Sequence, residues 1–216
     1  SRNRRQRCAV LVEVNGTTIL VDAGPDIRKQ LLPHQLTKID AILITHTHSD
    51  HVAGLDDLRA FYWPKRNEIN IYATAHHGKD IVTRFPYLFT KKPDSPSYFI
   101  PPMVMHQIDA GTQISIGDCK IDILHQDHGN STSLGFVFDE KFAYSTDVID
   151  MSDDVFNKIT GVDLWIVEAL RADPHSSHSH FEQTFKWIER VKPGRAVLTH
   201  LGLSADYQEL LAICPD

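Results

Sequence analysis

A chain of 216 residues with 42% hydrophobic content is long enough to bury a sizeable core in one domain. Its formal net charge of -6 argues against a general binder of nucleic acid or membrane surface, because such proteins carry a basic excess. The three cysteines, Cys8, Cys119 and Cys214, are odd in number and lie far apart without C-x-x-C spacing, which suggests neither a disulfide framework nor a cysteine zinc site and fits a reducing cytoplasm.

In chain order, "CAVLVEV" and "TTILVDAG" flank Asn15-Gly16, a strong hairpin signal. "DAILITH" is a short apolar run that stops at histidines, as a strand buried on both faces would. "VAGLDDLRAFY" then spaces Val52, Leu55 and Leu58 as one face of a helix, so the histidines fall on a strand-to-helix loop. After the strand "INIYAT", residues 76–102 predict a helix opened by His76-His77 and then a surface excursion, broken by Pro86, Pro93, Pro96, Pro101 and Pro102. "TQISIGDCKIDIL" turns at Gly117-Asp118, and "SLGFVF" and "KFAYST" form a hairpin about Asp139-Glu140. "VDLWIVEAL" predicts a buried strand, "FEQTFKWIERV" a helix with Phe181, Phe185 and Ile188 on one face, "RAVLTH" a last strand and "ADYQELLAI" a closing helix. Strand meanders with interspersed helices predict packed sheets with helices outside, in a single domain over residues 1–216. No run approaches the ~18 apolar residues of a membrane span. The chain opens on Ser1 rather than Met and is expected to be shortened at its ends.

The chemistry concentrates in "THTHSDH". His46 and His48 lie two apart, so in an extended segment they project to one side and can ligate one metal ion, while Asp50 and His51 follow at the turn, where a second could be held. The pattern of an apolar strand ending in His or Asp recurs at His128, Asp147 and His200. Strand ends that share a sheet edge give rigid ligands, with the loops beyond them forming a substrate rim.

H-x-H-x-D-H followed by a lone His, a lone Asp and a final T-H resembles the metallo-β-lactamase superfamily, which implies an α/β (α+β) fold, the four-layer αββα sandwich. "RNRRQR", "VDAGPDIRKQLL", "THTHSDHVAGLDDLR", "DHG", "SLGF", "YSTDV", "EALR" and the histidine-rich loop before "FEQTF" look like the PhnP-type cyclic-phosphate phosphodiesterase branch, related to tRNA 3′-processing endonucleases. The resemblance implies that His46, His48 and His128 hold one metal, Asp50, His51 and His200 the other, and that Asp147 bridges both. Asp50 and Asp147 thereby count as catalytic groups as well as ligands. A hydroxide between two ions roughly 3.5–4 Å apart would be the nucleophile. In the same branch a histidine some twenty residues before the last ligand resembles the general acid, and His178 matches it, with His180 and His175 in the same loop. Arg171 after "EAL", Arg5 in the N-terminal cluster with Arg2, Arg4 and Arg7, and His180 are the candidate substrate contacts, guanidinium groups being suited to phosphate. Asp22 either orients a ligand or caps the turn before Pro25, and Glu168 either steadies the site or is a plain strand-end carboxylate. His34, His76, His77, His106 and His125 are read as surface or structural. Leu203 stands three residues after His200 and Cys8 is alone near the start, so the additional structural zinc of some members of the branch is expected to be absent.

These readings converge on a cytoplasmic dinuclear metallohydrolase, using Zn²⁺ or Mn²⁺, that acts on a small cyclic phosphate or nucleotide-like phosphodiester. Neither a membrane nor a stable nucleic-acid partner is expected, and a homodimer is the default by symmetry. An RNA-processing endonuclease of the same superfamily would need a basic arm that this acidic chain lacks. Thioester and lactone hydrolases share the first motif but not the "EALR" and H-x-x-H segment. A flavodiiron-type redox protein resembles the superfamily with Glu at the position of His48, and the last rival is a metal- or nucleotide-binding module without turnover.

Overall fold

Asn15 and Gly16, with φ of 48° and 78°, close the hairpin between β1 (Val10–Val14) and β2 (Thr17–Val21). Two consecutive positive φ values are what a two-residue turn matched to strand twist requires, hence the Asn-Gly signal. The computed structural model describes residues 2–214. Contacts divide them into two units, one made of Arg7–Asp109 with Ile116–Cys119, the other of the stretch up to Gln6, Ala110–Ser115 and the chain from Lys120 onward.

In the first unit the chain passes from β2 through α1 (Ile27–Leu31) to β3 (Ala41–Leu43), α2 (Ser49–Val52) and β4 (Ile69–Ala73). Then come α3 (Ala75–Arg84), α4 (Pro86–Phe89) and β5 (Met103–Gln107). The sheet order is β1-β2-β3-β4-β5, antiparallel at the first pair and parallel thereafter. Parallel strands are usually covered on both faces, and β2 and β3 are buried along their whole length. Leu20, Ile42, Ile44, Leu55, Leu58, Ile71 and Ile81 pack as the core of this unit.

The helix expected from Val52 onward is not continuous. α2 ends at Val52, and a 3₁₀ segment, Leu55–Phe61, follows. Gly54 is the reason: its N–H bonds to the Ala23 carbonyl at 2.8 Å, and a Cβ there would stand 2.1 Å from the Gly24 oxygen. Leu55 and Leu58 remain buried, because an i,i+3 pair shares a face in a 3₁₀ helix too. β5 was not anticipated, its "MVMHQ" lacking clean alternation.

The second sheet contains β6 (Gln113–Ile116), β7 (Cys119–Asp127), β8 (Thr132–Phe138), β9 (Phe142–Ser145), β10 (Leu164–Glu168) and β11 (Ala196–Thr199), in the order β11-β10-β9-β8-β7-β6. α5 (Asp153–Ile159), α6 (Phe181–Val191) and α7 (Tyr207–Ile213) complete the described elements. Trp165, Val167, Ala143, Val137, Phe156 and Trp187 form its main core. α5 was also missed; Ser152 caps it by accepting the Val155 N–H, and Val155, Phe156 and Ile159 are buried. β9, β10 and β11 are mutually parallel, while β7 and β9 are each antiparallel to β8. The C-terminal ends of β7, β9, β10 and β11 therefore emerge at one edge of this sheet. Among the described residues no helix is long and apolar enough to cross a membrane.

Candidate metal centre

In the first unit, β2 and β3 run parallel, so Asp22 and the "THTHSDH" loop leave the sheet at the same edge. Asp22 takes a left-handed φ of 62°, unusual for a residue with a Cβ. Its fully buried carboxylate accepts the Thr45 N–H at 2.9 Å, the Thr45 hydroxyl at 2.8 Å and His51 Nδ1 at 2.7 Å. Of the two roles open to Asp22, the orienting one is the one observed. A second tie joins Ala23 N–H to the His51 carbonyl at 2.7 Å. The His46 ring lies 4.5 Å from that of His48 and 4.3 Å from that of His51, centroid to centroid, and Asp50 Oδ2 is 3.5 Å from His51 Nε2. His46, His48, Asp50 and His51 thus form one cluster.

The second unit assembles its own cluster at the edge where four strands end. His128 follows β7, Asp147 lies just past β9, Glu168 ends β10 and His200 follows β11. Asp147 and His200 both adopt φ of 52°. Left-handed backbone at such residues costs roughly 1–2 kcal/mol each and persists where surrounding bonds enforce it. Around Asp147, Ser133 Oγ donates to its carbonyl and Thr146 Oγ1 to Oδ2, each at 2.8 Å. Gln126 Nε2 in turn donates to Ser133 Oγ at 3.0 Å and to the Thr146 carbonyl at 3.1 Å. Asp147 Oδ1 is 3.8 Å from both His128 Nε2 and His178 Nδ1, and Oδ2 is 3.5 Å from His200 Nε2. Glu168, fully buried, lies 2.5 Å from His178 Nδ1 and 3.0 Å from His200 Nδ1, and accepts the Val148 N–H at 2.6 Å. The rings of His178 and His200 stack, 5.1 Å apart and inclined by 10°.

The remaining predicted residues are placed less centrally. His180 stands before α6 with Nδ1 buried and unbonded. Arg171 turns its guanidinium onto its own loop, donating to the carbonyls of Asp173 at 3.1 Å and Pro174 at 2.8 Å. Arg5 lines a pocket of about 230 Å³ with Asn3, Gly202, Ser204 and Asp206. Arg7 instead pairs with Asp26, and Arg2 bonds to Tyr207. His77, read as structural, is 6% exposed; burial, reinforced by His76 and His48 against the opposing effect of Asp80, pushes its pKa down to about 4.

Sequence reasoning missed the supporting hydrogen bonds. Thr45, Ser133 and Ser177 lie inside the motif stretches but are not ligand-type residues there, and Gln126 lies outside them. The one available signal was Gln126, a polar side chain inside an apolar strand, and it is completely buried.

The residues present fit a divalent metal ion. Carboxylate and carbonyl oxygens only accept, so Asp22 makes His51 Nδ1 the protonated nitrogen, and the Ser177 carbonyl, 2.7 Å from His128 Nδ1, does the same there. In the neutral rings both Nε2 atoms then present lone pairs, the arrangement that metal-ligating imidazoles use. In the second unit alone, ligand atoms of Asp147, Glu168, His178 and His200 lie within 4.8 Å of one another.

Comparison with known proteins agrees with this chemistry. Residues 17–201 match the beta-lactamase superfamily domain. Over 216 residues the chain is 32% identical to an octanoyltransferase of Porphyromonas gingivalis, covering 99% of this chain and 43% of that protein. It is 29% identical to a ribonuclease Z of Thermococcus kodakarensis over 138 residues, 62% of this chain and 41% of that protein. It spans less than half the length of these two curated relatives. A crystal structure of a diphosphatase from the PhnP family is similar with a TM-score of 0.88 and 29% identity, over 98% of this chain and 79% of that one.

Proposed function

This chain belongs to the beta-lactamase superfamily, and from that premise we propose that it is a metal-dependent phosphodiesterase for a small cyclic phosphate or nucleotide-like phosphodiester. Its α/β architecture, with two mixed sheets and helices, is the metallo-β-lactamase fold expected from the histidine motif. In this reading, as the resemblance implies, His46, His48 and His128 would hold one ion and Asp50, His51 and His200 the other, with Asp147 as a ligand to both. Zn²⁺ and Mn²⁺ both suit such a mixture of imidazole and carboxylate. When bound, a pair of divalent ions supplies Lewis acidity toward a phosphoryl oxygen and makes water acidic enough to attack near neutral pH.

The chain's own residues supply orientation and a proton. Asp22 and the Ser177 carbonyl fix the ring orientation of His51 and His128. His178, with Nδ1 tied to Glu168, donates from Nε2 to the departing alkoxide, and Glu168 stabilises the imidazolium form. His180, Arg5 and the N–H groups of Arg171 not used within its loop contact the substrate.

The observation that carries the reading is the His178–Glu168 pair beside Asp147. A phosphodiester with an ordinary alcohol leaving group needs a proton at that oxygen, whereas a thiolate leaves a thioester without one. Similarity to a diphosphatase of the PhnP family supports phosphorus over carbon as the centre attacked. A second reading, hydrolysis of an acyl thioester, draws on the similarity to an octanoyltransferase, whose name records transfer of an acyl group, over 43% of that protein.

The test sets bis(p-nitrophenyl) phosphate, a cyclic nucleotide and an octanoyl thioester before the Zn²⁺- or Mn²⁺-loaded protein, with Asp147→Ala alongside. Turnover of the phosphodiesters, abolished in Asp147→Ala, supports the proposal. Turnover of the thioester alone transfers the site to the second reading.

A further inference from the structure

Arg84, the last residue of α3, reaches the loop that carries His46 and His48. Its Nη1 donates to the carbonyl oxygen of Thr47, the residue between them, at 2.6 Å. Its other nitrogens face Asp80, one helical turn back: Nε is 3.1 Å from Oδ1 and Nη2 is 2.6 Å from Oδ2. The guanidinium is thus held flat by a two-point carboxylate contact before it meets the loop, a geometry a planar cation can adopt and an ammonium cannot.

We propose that Arg84 is a positioning residue for the metal ligands, locking the Thr47–His48 peptide and thereby the angle between the His46 and His48 side chains. The inference rests on the metal-centre reading above. A carbonyl oxygen and the following N and Cα share one rigid plane, so a charge-assisted bond to the Thr47 oxygen orients the backbone that carries His48. His48 itself is exposed, its backbone is extended, and it makes no side-chain cap to α2, which has only four residues. His46 is tied from the opposite side, through Thr45 to Asp22. The two histidines therefore lie between two clamps, both recruited from distant parts of the first unit.

Two alternatives are weaker. A cation at a helix C-terminus can serve the helix's own last carbonyls, but the three contacts of Arg84 go to Asp80 and Thr47 instead. A plain i,i+4 surface pair would explain Asp80 and leave the bond to Thr47 unexplained. A positive charge near metal ligands also opposes a divalent cation, and Asp80 offsets that charge. Asp80→Asn should consequently weaken metal binding in the same direction as loss of Arg84.

The test titrates the whole metal-free chain with Zn²⁺ against a chromophoric chelator and records the visible spectrum of the Co²⁺-loaded chain. Wild type, Arg84→Met, Arg84→Lys and Asp80→Asn are compared, with Lys186→Met, which removes the surface pair to Glu182, as control. Arg84→Met is expected to weaken binding of one Zn²⁺ about tenfold or more, the scale for partners that orient ligands. It should also shift the Co²⁺ bands. Arg84→Lys should regain part of the loss, and the control should be unchanged. Zn²⁺ affinity and Co²⁺ bands in Arg84→Met that match wild type would overturn the proposal. If Arg84→Met loses its far-ultraviolet circular dichroism, the Arg84→Lys and Asp80→Asn titrations decide in the same terms. If wild type takes up no ion, the metal-centre reading fails and the clamp falls with it, an outcome distinct from a wild type that binds and a variant that binds equally.

Discussion

Glu168 Oε1 stands 2.5 Å from His178 Nδ1 while its Oε2 accepts the Val148 N–H at 2.6 Å. One buried carboxylate thus orients the imidazole and the peptide that follows Asp147. His178→Ala is expected to lower kcat for a diester of an ordinary alcohol by about 10²–10⁴-fold. The loss should be much smaller for bis(p-nitrophenyl) phosphate, whose leaving group needs little protonation. Steady-state rates over a series of leaving groups check this. An equal loss at every leaving group would remove His178 from the acid role.

The Asp22 carboxylate lies 2.7 Å from His51 Nδ1 and also accepts both the N–H and the hydroxyl of Thr45. Asp22→Asn keeps the shape but replaces one acceptor oxygen with a donor. The expected cost is about 10–100-fold in metal affinity. Chelator competition measures it, and unchanged affinity would show that the ring of His51 is held by other means.

The pKa of His77, pushed down to about 4 by burial, lies below its ordinary value of 6.5. Between those values the unfolded chain binds a proton that the folded chain refuses, so stability rises with pH across this window and is lost as pH falls from 6.5 toward 4. In the metal-free chain, the urea midpoint of wild type should fall more steeply over that range than that of His77→Leu. Parallel acid limbs for the two proteins would contradict the assignment.

Gly54 and Gly24 permit a close backbone approach beneath the histidine loop. A Cβ at Gly54 would stand 2.1 Å from the Gly24 oxygen and 2.6 Å from Ile27 Cγ2, and one at Gly24 would stand 2.0 Å from the Asp50 oxygen. Neither backbone can withdraw without breaking the Gly54 N–H bond to Ala23. Gly54→Ala is expected to destabilise the chain by about 3 kcal/mol, the upper part of the usual range for overpacking. Chemical denaturation checks the value, and a variant as stable as wild type would mean that the loop relaxes freely.

Much of the candidate site was legible before any coordinates. His46, His48, Asp50 and His51 stand out because four ligand-type residues follow an apolar run. His128, Asp147 and His200 are visible because each ends a strand-like segment. Asp22 and Glu168 stand out in the sequence but their roles do not, since a strand-end carboxylate reads the same whether it caps a turn or grips an imidazole. β5 and α5 escaped because short segments with weak periodicity carry too few apolar positions to declare themselves. The spacing of Val52, Leu55 and Leu58 fits 3₁₀ and α geometry alike, so it does not show the break at Gly54.

The sequence by itself determined which residues are the candidate metal ligands and that they follow strands, because hydrophobic period and hairpin chemistry are local. Tertiary structure alone decided what each of them touches. His51 meets Asp22 across 29 residues of chain, His128 meets the Ser177 carbonyl across 49, and Thr47 meets Arg84 across 37. Such pairings follow from sheet register and from where each loop returns. A hydrogen bond is made or lost within a few tenths of an ångström, a precision that residue spacing along the chain does not carry.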